Sequence, residues 1–308
     1  MCKRTSITII SISTYIFLLD CFATSIENSR CELNIDFNDY YTIKPSHNIN
    51  HEFIESLQIQ SCLNNSLVSI QYHEGEIKQR KASIVDYPNS SNQKALLFKL
   101  TGRDGSQNKR KSRRIQLNTY NLTGVNEVII KSEFILSEDF NLLKSYKNGI
   151  EWLTIFEIWN NAGWTGEKHP FRINLNIYKE KAKESTELYF KAEAQTLNIA
   201  SRKWNTTIWK DINKNYIIPV NQKVNLEIKI TQGNQDSGRF IVNITDNSVL
   251  NYNLFTIYNY THHPDDLSPD GFKDINPIKL YTSSNITDFV DTKGGSLKIY
   301  WKSLNMSL

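Results

Sequence analysis

In Phe171-Arg172-Ile173-Asn174-Leu175-Asn176-Ile177-Tyr178-Lys179 apolar and polar side chains alternate from Phe171 to Tyr178. Successive side chains of an extended chain point to opposite faces, so the run reads as a strand with one face buried and one face wet. The same period recurs in Ala95–Leu100, Arg114–Tyr120, Val128–Leu136, Trp152–Trp159, Glu187–Ala194, Val224–Thr231, Arg239–Thr245, Leu254–Tyr260, Ile278–Tyr281 and Leu297–Trp301. Helical spacing is nearly absent. Turn signals such as Asn160-Asn161-Ala162-Gly163, Gln232-Gly233-Asn234 and Lys293-Gly294-Gly295 separate the runs. Many short strands with polar connections predict an all-β chain, a two-sheet antiparallel β-sandwich.

The chain has 308 residues, enough for one large sandwich or two small domains. It carries no linker rich in Pro, Gly or Ser and no fixed repeat, so one domain over 24–308 is expected. Its core sandwich spans 93–308, preceded by an irregular part, 24–92, with weaker strands at Ser66–Tyr72 and Lys81–Val85. Hydrophobic residues make up 39% and charged residues 22%, which supplies a core and excludes a wholly disordered chain. The formal charge of +4 is spread thinly and does not point to nucleic acid. One basic stretch stands out, Arg103–Arg114 (RDGSQNKRKSRR), which is either a solvated loop or a loop that faces a polyanion.

Met1-Cys2-Lys3-Arg4, an apolar stretch from Ile7 to Leu19, and the small-residue end at Ala23 make up a secretory signal peptide over 1–23. The apolar stretch is shorter than the roughly 20 residues that span a bilayer, so no membrane span is expected. Leu18-Leu19-Asp20-Cys21 resembles a lipoprotein box, with Asp20 a poor fit, so a secreted chain is preferred to one lipid-anchored at Cys21. The mature chain then keeps Cys31 and Cys62, an even pair that reads as a disulfide in an exported protein. Asn-x-Ser/Thr sequons occur at eight positions, from Asn64 to Asn305, and do not discriminate function.

Candidate chemistry is densest in Trp152–Arg172 (WLTIFEIWNNAGWTGEKHPFR). Glu157 and Trp159 share a strand face. With Asn160, Asn161 and Trp164 they would suit a saccharide cleft, since indoles stack on sugar faces and carboxylates or amides bind hydroxyls. The competing assignment is a tryptophan-filled core with Glu157 paired at its rim. Histidine is scarce, yet His262 and His263 are adjacent, close to Tyr258 and before Asp265. A histidine with a nearby tyrosine can move a proton next to a carboxylate. A metal held by His262, His263 and Asp265 is disfavoured, because adjacent side chains on a strand point apart, and no metal site is assigned. Glu151 and Glu157 would stand roughly 20 Å apart along a strand, too far for a glycosidase pair.

The strands Arg114-Ile115-Gln116-Leu117-Asn118, Phe156-Glu157-Ile158-Trp159-Asn160 and Leu297-Lys298-Ile299-Tyr300-Trp301 resemble a concanavalin A-like lectin/glucanase jelly roll. Within it the nearest likeness is to heparinase-I-like and alginate-lyase-like polysaccharide lyases, over about positions 90–308. Such lyases carry an arginine-bearing strand, a Gln-Ile-His strand and a Tyr-x-Lys strand across the concave sheet. Arg114 and Gln116 match the first. Glu157-Ile158-Trp159 stands where the second is expected, without its histidine. The resemblance implies β-elimination of a uronate-containing glycan, so the expected partner is an acidic polysaccharide and the expected state a monomer. It also implies Arg114, Gln116 or Asn160 on the substrate carboxylate, and Arg172 with the basic loop on the polymer. His169, His262 or His263 would be the base and Tyr258 or Tyr281 the acid. No cofactor is implied; a structural calcium fits the family, though no ligand set is legible. A non-catalytic lectin-like module and a cell-surface interaction protein are the alternatives.

Overall fold

The structure, a computed structural model, describes residues 31–39, 42–45, 51–54, 67–73, 75–90, 92–102, 112–161, 168–182, 184, 186–198, 203–248 and 251–308. The signal segment, Cys21, Cys62, Trp164 and positions 103–111 of the basic stretch lie outside these residues. Two antiparallel sheets form a jelly-roll sandwich. One has eight strands, in the order Tyr252–Tyr258, Arg239–Asp246, Lys223–Thr231, Glu127–Leu136, Leu297–Ser307, Lys94–Leu100 and Arg80–Asp86, with Glu32–Asp36 also pairing to Leu297–Ser307. The other has ten, in the order Lys203–Asn213, Tyr189–Asn198, Phe171–Tyr178, Leu153–Asn161, Asp274–Asn276, Ser112–Tyr120, Leu67–His73, His51–Ile54 and Ile43–Pro45. Lys279–Ser283 is inserted between Ser112–Tyr120 and Leu153–Asn161 and pairs with both. Among the described residues no helix is long and apolar enough to cross a membrane.

Each alternating run is a strand, and the inner faces supply the core. Phe98, Phe134, Phe240 and Trp301 come from the eight-stranded sheet, and Phe156, Ile173, Leu175 and Phe190 from the ten-stranded one, all fully buried. The Trp301 ring sits 5.0 Å from that of Phe134. The burial of such rings is the main term holding the sheets together. Leu67–His73 runs one residue past the expected Ser66–Tyr72 and lies inside the ten-stranded sheet, while Arg80–Asp86 takes the edge of the other. A short helix, Ser284–Thr292, follows Lys279–Ser283 and is held by Arg113, which donates to Ser284 O at 3.3 Å and pairs with Asp288 at 3.0 Å.

The outer faces of the two sheets differ. Arg239–Asp246 alternates buried and half-buried positions along its whole length, as a wet outer face requires. All nine residues of Leu153–Asn161 are buried, although Thr154, Glu157, Asn160 and Asn161 are polar. The outer side of the ten-stranded sheet is therefore not solvated at its centre but filled with paired polar and charged groups. Burying such groups is costly unless each finds a partner, and this is where a site is to be sought.

Candidate active site

Antiparallel register sets the polar side chains in rows across the strands. In one row His73 stands opposite Arg114, and Arg114 opposite Tyr281. In the next, two residues along, Gln71 stands opposite Gln116, and Gln116 opposite Lys279. The rows follow from the sequence: Gln71-Tyr72-His73, Arg114-Ile115-Gln116 and Lys279-Leu280-Tyr281 each put two polar groups on one face around a core residue. A groove of about 790 Å³ opens beside them, lined by His73, Arg114, Gln116, Asn118, Trp159 and Asn276 among others.

Tyr281 is flanked by cations. The Arg114 guanidinium lies 5.5 Å and the Lys279 ammonium 5.4 Å from the centre of its ring, and the Trp152 ring packs on it at 4.8 Å. Gln116 donates to Gln71 Oε1 at 3.3 Å, and its own buried Oε1 has no hydrogen-bond partner among the described residues.

Beneath the groove floor lies an ion cluster. Glu157 pairs with Lys279, whose side chain has no exposure, and with Arg172 at 2.9 Å. Burial would raise the Glu157 carboxyl, but the charges of Lys279, Arg172 and Arg114 outweigh it and hold the group below its ordinary range. Lys279 is pushed down to about 7, first by burial and then by Arg114 and Arg172, with Glu157 opposing. Lys279 also donates to Asn276 Oδ1 at 3.0 Å, and Asn276 donates in turn to Asn118. Arg172 donates to Gln195 Oε1 at 3.0 and 2.6 Å and lies over the rings of Trp159 (5.6 Å) and Trp204 (4.6 Å), which pack edge to face on each other. Glu157 and Trp159 are thus buried on the groove side of the sheet, not between the sheets.

The residues singled out in the sequence separate into groups. Arg114, Gln116 and Trp159 line the groove; Tyr281 adjoins it; Glu157 and Arg172 form the cluster below. Asn160 donates to Gly271 O at 3.3 Å, and Asn161 to Lys168 O at 3.0 Å, so both fasten neighbouring loops. Tyr258 is exposed on the other sheet, under Arg239 at 4.3 Å. His262 is buried with its Nδ1 2.8 Å from His263 O and its ring edge-on to Tyr260. His169 and His263 face each other at 5.0 Å, outside the groove lining. Burial holds His263 below its ordinary value, His169 and His262 add to this, and Asp265 and Asp266 oppose it.

The sequence reading passed over His73, Gln71 and Lys279. No histidine stands at Glu157-Ile158-Trp159, whereas Gln71-Tyr72-His73, on the strand next to Arg114, reads Gln-x-His. Ending that strand at Tyr72 hid it. Lys279 was legible as the first residue of a Lys-x-Tyr pair in an alternating strand.

No family model matches the chain, and no curated protein matches it. Among solved structures, an alginate lyase in complex with alginate tetrasaccharide is 13% identical, with 90% of this chain and 96% of that one covered and a TM-score of 0.49. The PL-14 alginate lyase from Aplysia kurodai is 10% identical, covering 87% and 97%, with a TM-score of 0.48. The endo-β-1,4-glucuronan lyase from the fungus Trichoderma reesei is 14% identical, covering 76% and 90%, with a TM-score of 0.46. At these values the case for a function rests on the side chains.

Proposed function

We propose that this chain is an exported polysaccharide lyase that cleaves a uronate-containing glycan by β-elimination, with Cys31 and Cys62 joined as its disulfide. The observation that carries the reading is the row His73, Arg114, Tyr281 beside a groove, with Gln71 and Gln116 in the row alongside. These residues answer the three strand motifs implied by the family resemblance, except that lysine precedes tyrosine in Lys279-Leu280-Tyr281.

β-Elimination needs a neutralised carboxylate, a base for the C5 proton and an acid for the leaving oxygen. Arg114, with an amide from Gln71 or Gln116, takes the uronate carboxylate and stabilises the enolate-like charge that develops on it. His73 takes the C5 proton. The C4–O4 bond breaks, a C4=C5 double bond forms, and the Tyr281 hydroxyl protonates O4. The phenolate left behind is stabilised by the Arg114 and Lys279 charges beside its ring. His73 and Tyr281 flank Arg114 at two strand spacings, roughly 10 Å between Cα atoms, a gap that a pyranose ring fills. Glu157 acts at one remove, holding the Lys279 and Arg172 side chains in place.

Incubation of the purified chain with a panel of polyuronates, alginate and β-1,4-glucuronan among them, and with neutral glycans tests this. Unsaturated uronates, read by ultraviolet absorbance and mass, are expected from a polyuronate and from no neutral glycan. The Trp159, Arg172 and Trp204 stack favours a second reading as a lectin; glycan binding with no unsaturated product across the panel would establish that instead.

A further inference from the structure

We infer that His169, His263 and Asp265 form a binding site for a borderline divalent cation of the Zn²⁺ kind, which staples two loops next to the groove. One donor atom from each of the three lies within 4.8 Å of the others. Nδ1 of His263 stands 3.9 Å from Oδ2 of Asp265, and the two imidazole rings are 5.0 Å apart at their centroids. Ligands about 2.1 Å from a tetrahedral ion are about 3.4 Å from one another, so the three have to close by an ångström or so. Asp265 has a side chain that is 79% exposed and can make that movement.

The surroundings are built to hold the histidines. His169 has a left-handed backbone, with φ of 60°, immediately before Pro170. A non-glycine residue there is strained, and such strain collects at functional positions. The loop bearing His263 is pinned on both sides of the cluster: Trp209 donates to Tyr260 O at 2.8 Å, and Asn161 reaches both Lys168 O at 3.0 Å and Asp266 Oδ2 at 3.4 Å. The backbone N–H of Asp265 donates to His263 Nδ1 at 3.1 Å, a bond that an ion bound at that nitrogen replaces.

Two imidazoles and one carboxylate select Zn²⁺, Co²⁺ or Ni²⁺ over Ca²⁺ and Mg²⁺, which take oxygen ligands. Three protein ligands leave a fourth tetrahedral position to water. The pair of adjacent histidines does not supply the site, since His262 bonds to the backbone of its neighbour. The second imidazole arrives from a residue more than ninety positions earlier in the chain. Asn161, which links the two loops, ends the strand that carries Trp159 on the groove wall, so the ion would fix the groove's rim.

Titration of the chelator-treated full chain with Zn²⁺, by calorimetry or equilibrium dialysis, reads the site directly. Co²⁺ in its place gives visible d–d bands that report ligand geometry. The expected result is one ion per chain, a raised thermal midpoint with Zn²⁺, and no such effect of Ca²⁺. Changes in a metal's outer shell already cost about 10–100-fold in affinity, so His169→Ala and His263→Ala each weaken binding by at least that much. Asp265→Asn tests the same point at an exposed position where misfolding cannot account for the loss. Unfolding of the metal-free variants confirms that they fold. Absence of stoichiometric binding, or binding of equal affinity in the His169→Ala/His263→Ala variant, would overturn the inference.

Discussion

Replacing Glu157 by glutamine removes the only carboxylate that pairs with Lys279 among the described contacts and leaves the amide isosteric. Both groups are out of water, with side-chain exposures of 0% for Lys279 and 2% for Glu157. Removing one partner of a buried pair costs about 3–5 kcal/mol, because the other charge is left uncompensated. Arg172 adds little to that figure: it keeps Gln195 and its two indoles. The cost therefore falls on Lys279. Below pH 7 the lysine carries its proton in the native chain, so the measurement belongs at about pH 6. With a urea dependence of about 2–3 kcal/mol per molar, the unfolding midpoint of Glu157→Gln drops by about 1–2 M. A double variant, Glu157→Gln/Lys279→Met, removes both charges and recovers most of the loss, since apolar groups of similar volume replace buried pairs at little cost. The reasoning is refuted if the single variant loses less than about 1 kcal/mol, or if the double variant is no more stable than the single one.

The same pair sets a pH dependence in two windows, and stability rises with pH in both. Lys279 binds its proton more weakly folded, at about 7, than its ordinary 10.5, so its contribution rises from pH 7 toward 10.5; for Glu157, held below 4.5, the contribution is present above that value and lost as pH falls. Denaturant unfolding across pH should show both trends in the wild type and neither in the double variant. Phe156→Ala empties a fully buried core position and should lower stability by about 3–5 kcal/mol, read from the same midpoints. Arg114→Lys keeps a charge but loses the planar fork, so kcat/KM on a polyuronate should fall by ten-fold or more while the unfolding midpoint stays within about 0.5 kcal/mol. If Cys31 and Cys62 are joined as proposed, closing a loop of about 30 residues, reduction should cost about 3 kcal/mol; peptide mapping without reductant checks the pairing.

Much of the fold was legible because period-2 alternation survives in nearly every strand, Phe171–Tyr178 being the plainest. Ser284–Thr292 was not, since a nine-residue helix gains its stability from Arg113 and the neighbouring sheet rather than from its own sequence. The groove was half legible. Arg114 and Gln116 declare themselves by alternation, but their partners come from Leu67–His73 and Lys279–Ser283, and strand order is a property of register that no local pattern records. His262 and His263 drew notice by adjacency, while His73, alone at the end of a weak strand, is the histidine that the sheet brings beside Arg114. Glu157 shows the same limit: period alone gave its face, and only the sheet shows that this face is filled by Lys279 and Arg172.

The central claim is that His73 and Tyr281 perform the proton transfers across Arg114. The most direct test compares wild type, His73→Ala and Tyr281→Phe on one polyuronate, following formation of unsaturated ends together with binding of the intact polymer. General acid–base groups contribute about 10²–10⁴-fold each, so both variants should lose at least a hundred-fold in turnover while still binding the polymer. Turnover within a few-fold of wild type in either one would contradict the account.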